Sequence, residues 1–219
     1  VAAVLCMAVV SVSEPVVAAP PRAGNGKGPN ILYIFTDDQS YRSVSAYERA
    51  HDWVKTPHID ALAESGMRFR TCYTGASCQM SRSMMLTGRL QHAIKSFDTS
   101  NYPGCDYDPK VQPFWPANFR KHGYKTACIG KWHLGHLPPC LPTYQGFEYY
   151  YGVPYSNDMW IDPANKLSDD IVIRSGLTRA DLEKGHKKRN WVPLFRGEEV
   201  IEYPADQTTL TKRYTEEAI

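Results

Sequence analysis

The chain has 219 residues, of which 42% are hydrophobic and 22% charged, close to the usage of ordinary globular proteins. Its 25 lysines and arginines nearly balance 23 aspartates and glutamates, so the formal net charge is +2 at pH 7. So small a charge excludes bulk electrostatic attraction as a basis for binding nucleic acid or an anionic membrane. We therefore predict no nucleic-acid partner, and any preference for anions must come from local placement of charged side chains.

Residues 1–28 are predicted to be an exported leader, a signal peptide, followed by a flexible linker. An apolar run ends in the small residues Ala18 and Ala19, as at the back of a secretory signal. The run lacks a starting methionine and a basic start, and a disordered tail is the alternative. Because Ser11 and Glu14 interrupt the run, we predict no membrane span. We expect an exported protein, whether periplasmic, extracellular or lysosomal.

Export also permits disulfide bonds in the region that follows. The cysteines available there are Cys72, Cys105, Cys128 and Cys140. Their pairing cannot be deduced from spacing.

Strand and helix patterns alternate from residue 30 onward. The apolar run over residues 30–36 predicts a strand buried on both faces, as in a parallel sheet. Thr56 and Pro57 predict the start of a helix, and Gly66 suits its end. Residues 67–73 alternate enough to predict a second strand.

Further helices and a third strand follow. Residues 81–86 predict a helix that begins just after Cys78, and residues 114–122 predict another. Residues 124–130 predict a third strand. This order of elements predicts an α/β layered fold.

The segment after residue 140 is rich in proline, tyrosine and glycine. Residues 191–200 predict a hairpin. Residues 183–189 form a charged run, for which a solvated surface is the simplest interpretation.

Two polar clusters fall after predicted strands, where α/β proteins bind their ligands. Asp37 and Asp38 follow the first strand, and a divalent cation would relieve the repulsion between their carboxylates. An acidic turn is the alternative. Lys131 and His133 follow the third strand, two apart on an extended segment, so we expect both side chains to point the same way. A solvated lysine and a hydrogen-bonded histidine are the alternative.

A third cluster begins at Cys78, at the N-terminus of a predicted helix. The helix dipole and Arg82, one turn on, would favour an anion or a thiolate there. A small buried residue at a helix start is the alternative.

In combination these motifs resemble those of the formylglycine-dependent sulfatases, in particular the arylsulfatase A-like branch. The resemblance covers roughly residues 29–219. The matching segments are Asn30-Ile31-Leu32 leading to Asp37-Asp38, Thr56 to Ala63, Cys78-Gln79-Met80-Ser81-Arg82, Leu86-Thr87-Gly88-Arg89, Gly130-Lys131-Trp132-His133-Leu134-Gly135, Gly146 to Asp158, Pro204 to Gln207 and Arg213 to Ala218.

The resemblance implies an alkaline-phosphatase-like α/β fold, a layered sheet with helices on both faces, incomplete in this chain. Residues 29–219 would be the N-terminal portion of a sulfatase catalytic domain, because the family's second metal-binding Asp-Asn pair and a further Lys and His come from later sequence. The implied activity is hydrolysis of sulfate esters, and the implied substrate is a sulfated small molecule or a sulfated glycan.

The resemblance also implies two cofactors. A formylglycine-generating or equivalent maturation enzyme would oxidise Cys78 to formylglycine, whose hydrate supplies the nucleophile. Asp37 and Asp38 would bind calcium together with the modified Cys78. The family's modification motif has proline, or sometimes alanine, two residues after the cysteine, and Met80 departs from it.

The remaining site residues carry over from the same motifs. Arg82 would steady the hydrate and its charge, and Lys131 would contact the sulfate. His133 would manage the proton of the hydrate. Ser156 matches a family serine near the nucleophile and is expected to bind substrate.

Two other interpretations remain open. One is a phosphatase or phosphonate hydrolase of the same superfamily, although Lys131-Trp132-His133 together with the cysteine motif favours sulfate. The other is a catalytically inactive remnant that binds sulfated glycans, which Met80 favours.

Overall fold

The computed structural model describes residues 28–94 and 114–219, together with the backbone of a strand at residues 6–10. The chain divides into two compact units, Val1–Cys78 and Gln79–Ile219. Among the helices that the structure describes, none combines the length and apolar character needed to cross a membrane.

The first unit contains a two-stranded ribbon and one α-helix. Strand β1 is Cys6–Val10 and strand β2 is Ile31–Phe35, and the two pair antiparallel. A short 3-10 helix, Tyr41–Ser43, follows, and helix α1 is Pro57–Ser65.

Strand β2 confirms the strand predicted over residues 30–36, but its surroundings were predicted wrongly. It pairs antiparallel with β1, and Ile31, Leu32 and Ile34 stay 46%, 54% and 48% exposed. The prediction of a parallel strand buried on both faces is therefore wrong for this structure. The physical reason is that a two-stranded ribbon has too little surface to cover both faces of a strand. The assignment of residues 1–28, which include β1, as an exported leader stays a prediction.

Helix α1 confirms the helix predicted from its boundary residues. Pro57 is its first residue, and Gly66 occupies the C-cap position. The hydroxyl of Thr56, at the N-cap position, does not bond to the helix backbone and donates instead to the Asp60 carboxylate at 2.8 Å.

The strand predicted over residues 67–73 is absent. That segment is irregular, and Met67, Phe69 and Tyr73 are 79%, 58% and 88% exposed. Alternating apolar residues form a strand only where a neighbouring strand takes up the backbone hydrogen bonds.

The second unit is built on a five-stranded mixed sheet. Helix α2, Cys78–Thr87, begins at the last residue of the first unit and confirms the helix predicted next to Cys78. The other helices and strands are the 3-10 helix Gln91–Ala93, helix α3 Trp115–Lys121, strand β3 Ala127–Ile129, the 3-10 helix Pro142–Gln145, strand β4 Tyr149–Gly152, strand β5 Lys166–Ile173, helix α4 Arg179–Glu183, strand β6 Leu194–Arg196, strand β7 Glu199–Tyr203 and helix α5 Leu210–Ala218.

The strands of this sheet lie in the order β3, β4, β6, β7, β5. Strands β3 and β4 are parallel, as are β5 and β7, and β6 is antiparallel to both of its neighbours. The β6–β7 turn confirms the hairpin predicted over residues 191–200, and β3 confirms the third predicted strand in a shorter form. Helix α5 packs against β3 and β4.

Two apolar clusters form the core of the second unit. Trp132, Tyr150 and Phe195 belong to the larger cluster, and Val192 and Leu194 to the smaller one. Full burial of a leucine or phenylalanine side chain stabilises a fold by roughly 1.5–3 kcal/mol. Because Trp132 is 1% exposed, the chain that leaves β3 is part of this core.

Candidate active site

Asp37 and Asp38 follow β2 in the first unit, and both are exposed. Beside them, the Thr36 Oγ1 and Gln39 Oε1 atoms are buried and have no hydrogen-bond partner among the residues described. Hard divalent cations prefer carboxylate and amide oxygens, and a buried oxygen without a partner is a costly arrangement. On donor chemistry, Asp37, Asp38 and Gln39 therefore fit a calcium ion.

Cys78 is the first residue of α2 and is half-buried. The N–H groups of a first helical turn lack intrahelical acceptors and favour negative charge nearby. Met80 lies in the same turn and is also half-buried. The helix start predicted for Cys78 is therefore confirmed, whereas its chemical role stays a prediction.

Arg82 ties α2 to the segment that follows β3. Its Nε donates to the Trp132 carbonyl at 2.8 Å, and its Nη2 donates to the Lys131 carbonyl. Arg82 and Lys131 come from separate motifs 49 residues apart. The structure brings these two predicted site residues side by side.

The pairing of β3 with β4 continues beyond the ends of both strands. The backbone bonds are those from Gly130 N–H to the Tyr151 carbonyl at 2.8 Å, from Trp132 N–H to the Val153 carbonyl at 2.9 Å and from His133 N–H to the Pro154 carbonyl at 3.0 Å. Lys131 and His133, both half-buried, are thereby held beside the chain that leads to Ser156.

His133 corrects one expectation from the sequence. Its φ of 60° lies in the left-handed region, so the alternation of an extended segment does not run from Lys131 through His133. The prediction of an extended segment is therefore wrong at His133, and the shared orientation of the two side chains stays a prediction. Non-glycine residues seldom adopt this conformation, and such exceptions concentrate at functional sites.

Trp132 anchors the backbone between Lys131 and His133. Its indole Nε1 donates to the Cys140 carbonyl at 2.9 Å, and its ring meets Phe114 and Phe147 edge to face, at centroid distances of 5.9 and 6.0 Å. Cys140 is itself fully buried and disulfide-bonded, so one of the predicted disulfide-forming cysteines is confirmed. A buried tryptophan with its N–H satisfied is a rigid attachment point.

Two glycines allow the close approach of β3 and β4. A Cβ atom at Gly152 would overlap the backbone of Gly130, its carbonyl oxygen above all. Gly130 has a φ of 103°, which side chains rarely permit. The chain can turn towards Lys131 at this point because neither position carries a side chain.

Ser156 is half-buried, and its hydroxyl donates to the Asp158 carboxylate. The same carboxylate accepts a bond of 3.0 Å from Arg189 Nη2. The hydrogen bond from Ser156, together with that from Arg189, holds the pKa of Asp158 below its usual range. Asp158 is therefore an ionised acceptor that orients Ser156.

A hydrogen-bonded pair of a histidine and an aspartate begins three residues after His133, and no sequence motif predicted it. His136 Nε2 is 2.9 Å from Asp162 Oδ2, and the His136 ring lies 4.5 Å from that of Tyr155. Burial lowers the pKa of His136 although Asp162 opposes the shift, so at pH 7 the pair is a hydrogen bond and not an ion pair. Burial works to raise the pKa of Asp162, but bonds from Ala164 N–H and His136 outweigh it, and the net shift is downward. The partners are 26 residues apart and share no motif.

Cys128, in β3, provides a contrast to Cys78. Its thiol is not in a disulfide, and burial raises its pKa to about 12. A thiol with so high a pKa has almost no thiolate at neutral pH and is a poor nucleophile.

The predicted site residues fall into two groups. Arg82, Lys131, His133 and Ser156 belong to the second unit, whereas Asp37, Asp38 and Cys78 belong to the first. Within residues 28–94 and 114–219, no three or more His, Cys, Asp or Glu side chains gather as a metal cluster. Chemically, the second-unit group combines two cations, an imidazole and a hydroxyl, a set suited to an oxyanion substrate.

Comparisons with known proteins identify the family of the chain. The sulfatase family model matches residues 29–217, and the chain belongs to the sulfatase family. The chain is 31% identical to arylsulfatase G of Canis lupus familiaris over an alignment of 209 residues, which covers 91% of this chain and 38% of that protein. It is 37% identical to arylsulfatase A of Homo sapiens over an alignment of 134 residues, which covers 59% of this chain and 26% of that protein.

A solved structure identifies the fold. The crystal structure of Ps i-CgsB superposes with a TM-score of 0.57 at 25% identity, covering 83% of this chain and 40% of that one. The predicted alkaline-phosphatase-like α/β class is therefore confirmed. The chain spans less than two-fifths of the length of the curated relatives it matches.

Proposed function

We propose that the full-length protein hydrolyses sulfate esters, with a formylglycine made from Cys78 as the source of the nucleophile. The observation that carries the proposal is the pair of bonds from Arg82 to the carbonyls of Lys131 and Trp132. They hold the helix that begins at Cys78 against the segment with the other cationic residue of the site. Membership of the sulfatase family supports the same reaction.

The residues of the second unit supply charge and proton transfer. Transfer of a sulfuryl group, like that of a phosphoryl group, needs positive charge around the equatorial oxygens. Arg82 and Lys131 provide that charge, with Arg82 steadying the hydrate and Lys131 contacting the sulfate. His133 holds and moves the proton of the nucleophile, and the Ser156 hydroxyl binds the substrate.

The first unit would supply the nucleophile and the metal ligands. If residue 78 is formylglycine, its hydrate would supply one hydroxyl as the nucleophile on sulfur, with the alcohol of the ester as the leaving group. The second hydroxyl would lose its proton as the aldehyde re-forms and sulfate departs, which a serine cannot do. Calcium would be held by Asp37, Asp38 and the modified Cys78, and it would offset their negative charge beside an anionic substrate. An oxidising maturation enzyme is the partner that this chemistry requires.

The proposal extends to the setting of the reaction. We expect a sulfated small molecule or sulfated glycan as substrate and an exported protein. Met80, in place of the usual proline or alanine, favours a second candidate: an inactive protein that binds sulfated glycans. A phosphatase or phosphonate hydrolase is a third, which assays with both ester types will separate.

Mass spectrometry of Cys78 in the full-length protein tests the proposal. We expect formylglycine at this position, and a larger modified fraction and activity together in Met80→Pro. Cys78→Ser, in a host that oxidises only cysteine, should abolish turnover, whereas Cys128→Ser, at the buried thiol, should retain it. Equal hydrolysis with Cys78 unmodified, or in Cys78→Ala, would contradict the mechanism. An unmodified Cys78 with glycan binding and no turnover would establish the second candidate.

A further inference from the structure

The charged run of the second unit contains a strip of exposed cations beside the candidate site. We name Lys184, Lys187, Lys188 and Arg189 the basic strip, and all four are exposed. The sequence from residue 184 to residue 190 contains no acidic side chain.

The carboxylates nearest to the strip already have cationic or hydrogen-bonding partners. Glu183 pairs with Arg179 at 3.3 Å, and Asp181 closes the capping box of α4. Asp162 bonds to His136, and Asp158 accepts from Ser156 and pairs with one cation of the strip, Arg189, at 3.0 Å. None of the three lysines forms an ion pair with a residue that the structure describes. Their charge is therefore available to a ligand.

Hydrogen bonds connect the basic strip to the segment that contains Ser156. Arg189 and Ser156 both donate to the Asp158 carboxylate. Gln207 bridges the same two segments, because its Nε2 donates to the Asn190 carbonyl at 2.7 Å and its Oε1 accepts from Asn157 at 2.7 Å. The basic strip thus forms one border of the candidate sulfate site.

One further contact fixes the middle of the strip. Lys188 Nζ lies 3.7 Å from the centre of the Trp191 ring, which also stacks on the His186 ring at 5.2 Å and meets the Tyr203 ring edge to face at 6.4 Å. The positive charge of Lys187 contributes to lowering the pKa of Asp162, the hydrogen-bond partner of His136. A cation resting on an aromatic face loses less conformational freedom when it binds an anion.

We propose that the basic strip binds a second sulfate group of the substrate, so that the substrate is a multiply sulfated glycan. The inference rests on the proposed function, which places the first sulfate at Arg82, Lys131 and Ser156. A row of exposed lysines on a protein of net charge +2 is too short to follow a nucleic-acid backbone, but it suits one or two additional sulfates on a short saccharide.

Charge neutralisation in the full-length protein tests the strip. The variant is Lys184→Gln/Lys187→Gln/Lys188→Gln. The control is Lys121→Gln/Lys125→Gln/Lys212→Gln, which removes the same charge from exposed lysines on other elements. We expect the affinity for a highly sulfated heparin hexasaccharide at low salt to fall about 10- to 100-fold in the strip variant, and less than about 3-fold in the control. The affinity of the unmodified protein should also decline steeply with salt, and that of the strip variant much less.

Kinetics separate this inference from the proposed function. The strip variant should raise KM for the hexasaccharide substrate by about 10- to 100-fold, and KM for a monosulfated aryl ester by less than about 3-fold. Equal hexasaccharide affinity in the two triple variants overturns the role of the strip, even if aryl ester hydrolysis is intact. A larger loss for duplex DNA or for anionic vesicles than for the hexasaccharide also overturns it. Absence of hydrolysis with binding by the strip preserved refutes the proposed function instead.

Discussion

Lys131–His133 and Asp37–Asp38 both follow a strand, but the strands beneath them are held differently. Beyond β3, Trp132 is 1% exposed, and backbone bonds run to the chain after β4. Beyond β2, the carboxylates follow a ribbon whose large apolar side chains are about half exposed. Polar residues at the end of a strand are therefore held in position only as well as the strand itself is packed and hydrogen-bonded. The second unit fixes its cationic residues through its own core, whereas the first leaves its carboxylates on an exposed ribbon.

The largest effect on activity is expected when the carboxylates after β2 are removed. In the full-length protein, Asp37→Asn and Asp38→Asn should each lower kcat/KM at least about 100-fold, because the metal loses charge and affinity. A chelator should abolish activity and calcium should restore it. Asp52→Asn, an exposed carboxylate in the same unit, is the matched control. Full activity in both site variants would sink the metal assignment.

The next effect probes the core beneath the second unit's site. Trp132→Ala should reduce the free energy of unfolding by about 3–5 kcal/mol, because a large buried ring leaves a cavity. Trp132→Phe should lose about 1–2 kcal/mol, since it keeps most of the ring but leaves the Cys140 carbonyl without its indole donor. Urea titration measures both. Trp53→Ala, at a position 76% exposed, should stay within about 0.5 kcal/mol. If Trp132→Ala behaves like Trp53→Ala, the anchor described for Lys131 and His133 does not exist.

The smallest effect expected is a change in the pH dependence of stability, caused by the buried His136 of the second unit. Burial holds the pKa of His136 below its ordinary value of about 6.5, so the unfolded chain takes up a proton first as the pH falls. The contribution of His136 to stability is complete above that value and is lost as the pH falls towards the folded-state pKa, by at most about 1.4 kcal/mol per pH unit. Asp162, whose pKa is also lowered, loses its contribution only in more acidic solution.

The measurement is thermal unfolding of the full-length protein between pH 7.5 and 5. His136→Gln, which keeps a side-chain donor towards Asp162, should flatten the profile in this range. His122→Gln, at an exposed histidine, should leave the profile as it is. Parallel profiles for all three proteins would show that His136 does not titrate differently on folding.

Local signals explain which parts of the structure the sequence could predict. Pro57 and Gly66 marked the ends of α1 because these residues act on their immediate backbone. The hairpin predicted over residues 191–200 turns at Gly197, whose φ of 60° suits a tight turn. The apolar run at β2 predicted a strand but not how far its side chains are buried, because burial depends on neighbours that are distant in sequence.

The candidate site divides in the same way. The motifs around Arg82 and Lys131 predicted residues that the structure brings together. The turn at His133 and the bond between His136 and Asp162 could not be predicted, because each depends on tertiary packing. The basic strip was visible as a charged run, but nothing in its composition linked it to Ser156.

Gly152 limits how far this geometry can be transferred to other members of the family. A side chain there would meet the backbone of Gly130, just where the chain turns towards Lys131. A relative with any larger residue at the matching position must hold these two strands farther apart, so its Lys-Trp-His segment must follow a different path. The residue that a relative has at this one position therefore indicates whether the backbone path of its Lys-Trp-His segment can be inferred from that of this protein.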